Sequence, residues 1–292
     1  MHEFTDKLVV ITGAASGVGR SLAIAMAEAG ARVLAADIDD AGLLETKAAL
    51  DARGAVSYTS KCDVTSQASV DALAARAFDE LGGVHLVFAN AGIAAGEAGP
   101  LWGYAESDWK WTFDVNLWGV VHTINAFMSR LHDQAEEAHF VITGSGNGAF
   151  IVYPDQPVYT ATKAAVQAVT EALYLQTAAQ NSPVKVHALF PGPYIVDTGI
   201  FDSDRVRPDR FAKSADAPDS GIHSADDMRQ MMEDYGMELK TTHPDEVAQM
   251  ALEGIREDKF WIMSLNPGSE SQIKARMDSI LHRQNPPIPS LG

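Results

Sequence analysis

Leu8-Val9-Val10-Ile11-Thr12-Gly13-Ala14-Ala15-Ser16-Gly17-Val18-Gly19 is the stretch whose reading decides the fold. The apolar, mostly β-branched run Leu8–Ile11 predicts a buried strand. A glycine turn follows, then a helical pattern from Gly17 to about Ala29, with Gly30 closing it as a C-terminal glycine. The turn has the spacing G-x-x-x-G-x-G. Glycine lets the chain turn tightly and lets a pyrophosphate approach the backbone, while the helix N-terminus supplies N–H groups and partial positive charge.

The same alternation continues outward. Arg32–Ala36, Val84–Phe88, Phe140–Ile142, Val184–Leu189 and Phe260–Met263 read as further strands, with helical patterns between them. Strands that are apolar throughout and separated by helices imply a parallel sheet covered on both faces, a doubly wound α/β fold. Asp37 closes the second strand, 18 residues beyond Gly19. A carboxylate there accepts hydrogen bonds from both hydroxyls of an adenosine ribose and repels a 2′-phosphate. Ile38, Asp39 and Asp40 follow it with no basic residue, so the reading is NAD rather than NADP. Asp39 or Asp40 reads as the cap of the next helix, and Cys62-Asp63-Val64 ends the third strand and is placed to meet the adenine edge.

The 292 residues are 46% hydrophobic and 21% charged, a globular composition, with a net charge of −17. That field repels nucleic acid and anionic lipid, so neither is an expected partner. One cysteine, Cys62, rules out an intrachain disulfide. The opening residues Met1–Lys7 lack the basic-then-apolar order of a signal peptide, and no stretch approaches the roughly 18 apolar residues of a membrane span. The expectation is a cytoplasmic protein. The nine histidines show no ligand spacing, so no catalytic metal is expected.

Tyr159-Thr160-Ala161-Thr162-Lys163 opens a later helical stretch, where side chains at i and i+4 share a face. An ammonium beside a phenol favours the phenolate and makes tyrosine usable as a general acid or base. Ser145 lies directly after the Phe140–Ile142 strand, where strand ends gather around a ligand crevice.

The glycine turn, Asn90-Ala91-Gly92, Asn116, Ser145, Tyr159-x-x-x-Lys163 and Pro191-Gly192 occur in this order, and over about Leu8–Thr198 the chain resembles the short-chain dehydrogenase/reductase family. The resemblance implies a single Rossmann-like domain with about seven parallel strands over residues 1–292. Tyr159 would then exchange a proton with the substrate oxygen and Ser145 would hold that oxygen. Lys163 would bind the nicotinamide ribose and Asn116 would anchor a water in a proton relay. The resemblance places Gly13, Ser16, Val18 and Gly19 at the phosphates and ribose, Asp37 on the adenosine ribose, and Asp63 and Val64 at the adenine. Asn90 would lie beside the ribose, and the segment after Pro191-Gly192 would meet the nicotinamide carboxamide. Ile195, Val196 and Thr198 remain alternatives for that contact, because the segment is about two residues longer than the common form. A homo-oligomer, tetramer or dimer, is implied by the resemblance alone.

Residues 201–240 read as an insertion forming a substrate lid, with Met228, Met231, Met232, Tyr235 and Leu239 on one helical face. Trp102, Tyr104, Phe150, Tyr153 and Tyr194 are expected near the mouth, and Phe150, Tyr153 and Tyr194 are assigned to the substrate pocket with Ser145 and Tyr159. Trp109, Trp111 and Trp118 read as core. Flat rings and flexible methionines suit a bulky apolar or aryl secondary alcohol. Two rival readings are a non-catalytic NAD sensor and a lyase or dehalogenase; the Ser, Tyr, Lys and Asn set argues against the first and the dinucleotide turn against the second.

Overall fold

The computed structural model describes residues 1–94, 98–213, 220–234 and 236–289. Nine strands occur among them: β1 (Leu8–Thr12), β2 (Arg32–Asp37), β3 (Ser57–Lys61), β4 (Leu86–Ala89), β5 (Ala138–Thr143), β6 (Val184–Phe190), β7 (Ile195–Val196), β8 (Thr241–Thr242) and β9 (Trp261–Met263). Seven form one sheet in the order β3-β2-β1-β4-β5-β6-β9, with all neighbours parallel. β7 and β8 pair separately. This is the Rossmann-like architecture expected, with strand boundaries shifted by at most two residues from the sequence reading.

The helices are α1 (Gly17–Glu28), α2 (Asp40–Asp51), α3 (Gln67–Ala75), α4 (Glu106–Phe113), α5 (Gly119–Asp133), α6 (Gly146–Ala149), α7 (Pro157–Ala179), α8 (Ala225–Asp234), α9 (Pro244–Arg256) and α10 (Pro267–Leu281). Successive strand residues point to opposite faces of a sheet. Accordingly Leu8, Val10, Leu34 and Ala36 join a core with Val70, Trp111, Phe127 and Val166 from α3, α4, α5 and α7. Val9, Ile11, Val33 and Ala35 join another with Leu22, Leu43 and Val247 from α1, α2 and α9. Every residue of β1 is buried, which explains why its sequence is continuously apolar rather than alternating.

The chain runs outward from β1 to β3 and then returns to β4, on the other side of β1. Helices therefore leave β1 and β4 towards opposite faces, and a crevice opens at the carboxyl ends of these two strands. That reversal fixes where a ligand can lie. No described helix is long and apolar enough to cross a membrane.

Of the three tryptophans read as core, Trp111 is buried, Trp109 is half-buried against Phe113, and Trp118 is 50% exposed. Trp118 corrects the expectation: it ends a five-residue π-helical turn, Asp114–Trp118, whose extra residue rotates it off the buried stripe. Met232 is buried, and Met228 and Met231 are half-buried on α8; Tyr235 lies outside the described residues, and Leu239 lies beyond the helix. Asp39 caps α2 by accepting from the Gly42 N–H at 3.1 Å, as read from the sequence.

A buried polar chain crosses the far end of the sheet. His139 Nδ1 lies 2.8 Å from His187 Nε2, His187 Nδ1 lies 2.7 Å from the Lys259 carbonyl, and the Met1 amino group lies 2.9 Å from His139 Nε2. His139, His187 and Asp258 bring possible ligand atoms within 4.8 Å of one another. The rings lie only 8° apart in plane, so facing nitrogens 2.8 Å apart share one proton. Two bonds to zinc of about 2.0–2.1 Å would spread those nitrogens further.

Burial, then the neighbouring His187 and amino terminus, push the His139 imidazole down from 6.5 to about 4. Between those values the unfolded chain binds a proton that the folded chain refuses, so stability is present above 6.5 and is lost as pH falls towards 4. Urea unfolding at stepped pH should show that loss, on the order of 3 kcal/mol from this group, and His139→Asn should flatten it.

Candidate active site

The glycine turn shows why side chains are excluded from it. Gly13 has φ +70° and Gly17 has φ +50°, conformations that favour glycine. A Cβ on Gly19 would fall 1.9 Å from the Gly13 carbonyl oxygen, and one on Gly13 would fall 2.7 Å from Ala91 Cα. Ser16 precedes α1 without a side-chain cap, and no acid stands in the first turn. The first amides of α1 are thus left to an anion, as helix N-termini demand. Ser16 and Val18 are half-buried beside this cradle.

Asp37 closes β2 and turns back to the cradle. One carboxylate oxygen accepts from the Ala15 N–H at 2.9 Å and the other from the Asp39 N–H at 3.0 Å. Burial raises its pKa against those backbone bonds. Each oxygen retains further acceptor capacity, which ribose hydroxyls would use. Arg20, the nearest cation on α1, is spent on the Gly42 carbonyl, Thr46 and Glu45. The cradle, the α1 amides and this carboxylate together fit a dinucleotide.

Thr12 and Asn90 brace the crevice floor. The Thr12 hydroxyl accepts from the Asn90 and Ala91 N–H groups at 3.0 and 3.2 Å. Asn90 Nδ2 donates to the Thr12 carbonyl at 3.1 Å, and its Oδ1 accepts from the Thr143 hydroxyl at 3.0 Å. Asn90 therefore ties together the ends of β1, β4 and β5. Thr12 and Thr143 were not singled out from sequence, although both flank the motifs quoted.

Beyond β5, Ser145 is half-buried and its hydroxyl accepts from the Asn147 N–H at 3.2 Å. Tyr159 and Lys163 share a face of α7, with Lys163 Nζ 5.8 Å from the centre of the Tyr159 ring. Lys163 is buried and donates to the Thr143 carbonyl at 3.0 Å. Loss of water pushes its ammonium pKa down to about 8, so it is charged at neutral pH.

Asn116 lies in the π-helical turn between α4 and α5 and is fully buried. Its Oδ1 accepts from the Ile93 N–H at 2.8 Å, and its Nδ2 donates to the Ile93 carbonyl at 2.9 Å and to Thr162 at 3.1 Å. A Cβ on Gly92 would lie 3.4 Å from Asn116 Oδ1 and 3.5 Å from Lys163 Nζ. The two polar groups therefore flank Gly92 at ordinary contact distance.

The remaining candidates divide. Pro191 and Gly192 follow β6, and Tyr194 donates its N–H to Thr242 at 3.1 Å, with Lys240 Nζ 5.9 Å from its ring. Ile195 is 40% exposed, Val196 packs towards the α1 side of the core, and the Thr198 side chain abuts Gly17. Of the three, Thr198 is brought to the cradle. Asp63 accepts from Thr65, and Val64 is buried beside Gly119. The Phe150 ring lies tilted against Phe190 and Trp261, with centroids 4.8 and 5.7 Å away, in an aromatic cluster at the β6–β9 edge. Tyr153 is half-buried, with its hydroxyl pKa raised by burial, whereas Trp102 is 89% exposed.

A nucleotide cradle, a carboxylate at the end of β2 and a serine, tyrosine and lysine at the ends of β5 and α7 define a dinucleotide-dependent oxidoreductase. A sequence model of the short chain dehydrogenases matches residues 7–207. The 1-deoxy-11-beta-hydroxypentalenate dehydrogenase of Streptomyces avermitilis is 39% identical over 183 residues, covering 63% of this chain and 67% of that protein. The protein of the same name from Streptomyces exfoliatus is 31% identical over 290 residues, covering 99% and 94%. A short chain dehydrogenase/reductase from Burkholderia phymatum, solved in complex with NAD, superimposes with a TM-score of 0.88 at 36% identity over 99% of both chains. The chain belongs to the short-chain dehydrogenase/reductase family, and it is an oxidoreductase.

Gly19→Ala tests the cradle. The added methyl must displace the Gly13 carbonyl, so denaturant titration should show a loss of roughly 1–3 kcal/mol. Dinucleotide affinity measured by calorimetry should fall with it.

Proposed function

We propose that the protein exchanges a hydride between a secondary alcohol and NAD, with ketone reduction as the reverse reaction. The observation that carries this reading is the buried Lys163 ammonium one helical turn from the Tyr159 phenol, held on the Thr143 carbonyl two residues before Ser145. NAD, when bound, supplies the acceptor for the hydride that leaves the alcohol carbon. The protein's residues handle the accompanying proton. Ser145 holds the substrate oxygen through its hydroxyl, and Tyr159 takes the hydroxyl proton at its phenolic oxygen. Lys163 favours the phenolate by its charge and binds the nicotinamide ribose. Asn116 anchors a relay water through its turn.

Gly13, Ser16, Val18 and Gly19 hold the phosphates, Asp37 the adenosine ribose, Asp63 and Val64 the adenine, and Asn90 the neighbouring ribose. Pro191, Gly192, Ile195, Val196 and Thr198 form the nicotinamide end. A 2′-phosphate would meet the Asp37 carboxylate, with Arg20 already engaged, which supports NAD over NADP. The Burkholderia relative's complex with NAD supports the same choice.

The substrate in this reading is bulky and apolar or aromatic. Tyr153 and Tyr194 line its pocket with Phe150 at the back, and the described residues of the 201–240 insertion form the lid. The Streptomyces relatives, named as dehydrogenases of a hydroxypentalenate, support an alcohol of this kind. The reading includes a cytoplasmic homo-oligomer. Its support is α10, which buries Ser279 while Met277, Ile280 and Leu281 stand 42, 60 and 70% exposed, an apolar face suited to a second copy.

Reduced nicotinamide should accumulate on a panel of aryl, steroid and terpenoid alcohols with NAD. Tyr159→Phe should lower that turnover at least 10²-fold while NAD still binds. Binding with no turnover on any alcohol would favour a cofactor sensor instead.

A further inference from the structure

The chain beyond β6 crosses the whole crevice. At one end the Thr198 side chain rests on Gly17, where a Cβ would lie 2.8 Å from Thr198 Cγ2. In the middle, the buried Ser203 hydroxyl accepts from the Ala94 N–H at 3.1 Å and donates to the Ile200 carbonyl at 2.7 Å. Further on, Arg207 pairs with the half-exposed Asp204 at 3.3 Å and with the buried Asp108, and its guanidinium lies 4.4 Å above the Trp111 ring. Phe211 then sinks into the core that contains Val64 and Ile93. Along the chain, this strap leaves β6 and meets the loops of β1, β4 and β3 in turn.

Arg210 sits at the far end of the strap. Its Nη2 donates to the Thr65 hydroxyl at 2.7 Å and lies 3.4 Å from Asp63 Oδ2, and its guanidinium carbon is 4.9 Å from the Phe211 ring centre. The side chain is 54% exposed. An exposed ion pair of this kind contributes little stability, about 0–1 kcal/mol. Phe211 and Arg207 already fasten the strap, so anchoring does not account for Arg210. A guanidinium held along one edge keeps a planar face for stacking on an aromatic base.

We propose that Arg210 is an adenine-binding residue supplied by the strap: fixed by Thr65 and Asp63, it covers the adenine of the bound dinucleotide. The inference rests on the NAD reading above and adds to it a residue from outside the dinucleotide-binding half of the chain. One segment then touches both the phosphate cradle, through Thr198, and the adenine end, through Arg210. Adenosine binding thereby holds down the same strap that borders the nicotinamide half.

The test is calorimetric titration of the full chain with AMP, ADP-ribose and nicotinamide mononucleotide, comparing the unaltered protein with Arg210→Ala and Arg210→Lys. Arg210→Ala should weaken AMP and ADP-ribose about tenfold and leave nicotinamide mononucleotide unchanged. Arg210→Lys should restore only part of the loss, because it returns the charge without the plane. NADH should also leave Arg210→Ala faster in stopped-flow fluorescence. Unchanged AMP and ADP-ribose affinity in Arg210→Ala overturns the proposal, as does equal weakening of all three ligands. Failure of the unaltered protein to bind any of NAD, AMP or ADP-ribose would instead overturn the NAD reading, and this inference with it.

Discussion

A lysine ammonium taken out of water sets the terms for the rest of the site. Lys163 is 3% exposed, and an isolated cation at such depth is strongly disfavoured unless oxygen acceptors replace its hydration. The Thr143 carbonyl supplies one, at 3.0 Å. That carbonyl is available because β5 stops at Thr143 and hands the chain to the turn that carries Ser145. The end of one strand thus positions the lysine and the serine together, and α7 adds the tyrosine four residues before the lysine.

The braces around this charge are short and mostly local to strand ends. Asn90 joins β1, β4 and β5 through Thr12 and Thr143, and Asn116 joins the β4 loop to α7 through Ile93 and Thr162. Each of these amides is satisfied by protein groups, so each works first as a spacer. Removing Asn116 would orphan the buried Ile93 N–H and carbonyl, at about 1–3 kcal/mol per group. The π-helical turn matters here because its extra residue lets Asn116 turn inward from a helix whose neighbouring Trp118 faces out. Rigid placement of this kind is what proton transfer at a shared oxygen requires.

Much of this was legible before any coordinates. Fully buried parallel strands demand continuous apolar runs, so β1, β2, β5 and β6 announce themselves, and Gly13, Gly17 and Gly19 mark a turn that no Cβ can enter. Asp37 ends β2, Ser145 follows β5, and Tyr159 and Lys163 lie in the opening turns of α7. Less legible were the partners that hold them, since a threonine such as Thr12 or Thr143 has no spacing signature that separates a brace from an ordinary strand residue. Nothing in the sequence signalled that the Phe150 ring packs against Phe190 and Trp261. Trp118 departs from its reading as core because a π-helical turn shifts the helical period by one residue.

The amino-acid order alone determined the alternation of strands and helices, the glycine turn and the placing of Tyr159 and Lys163 on one helical face, because each depends on contacts within a few residues or on a fixed period. Only the tertiary structure decided that Lys163 is dry, that Asn90 spans three strands, and that Arg207 and Arg210 reach back to Asp108 and Asp63. Those contacts join residues about 20 to 150 positions apart in the chain. Their formation depends on where the sheet order places each strand end, a property of the whole packed molecule that no local pattern encodes.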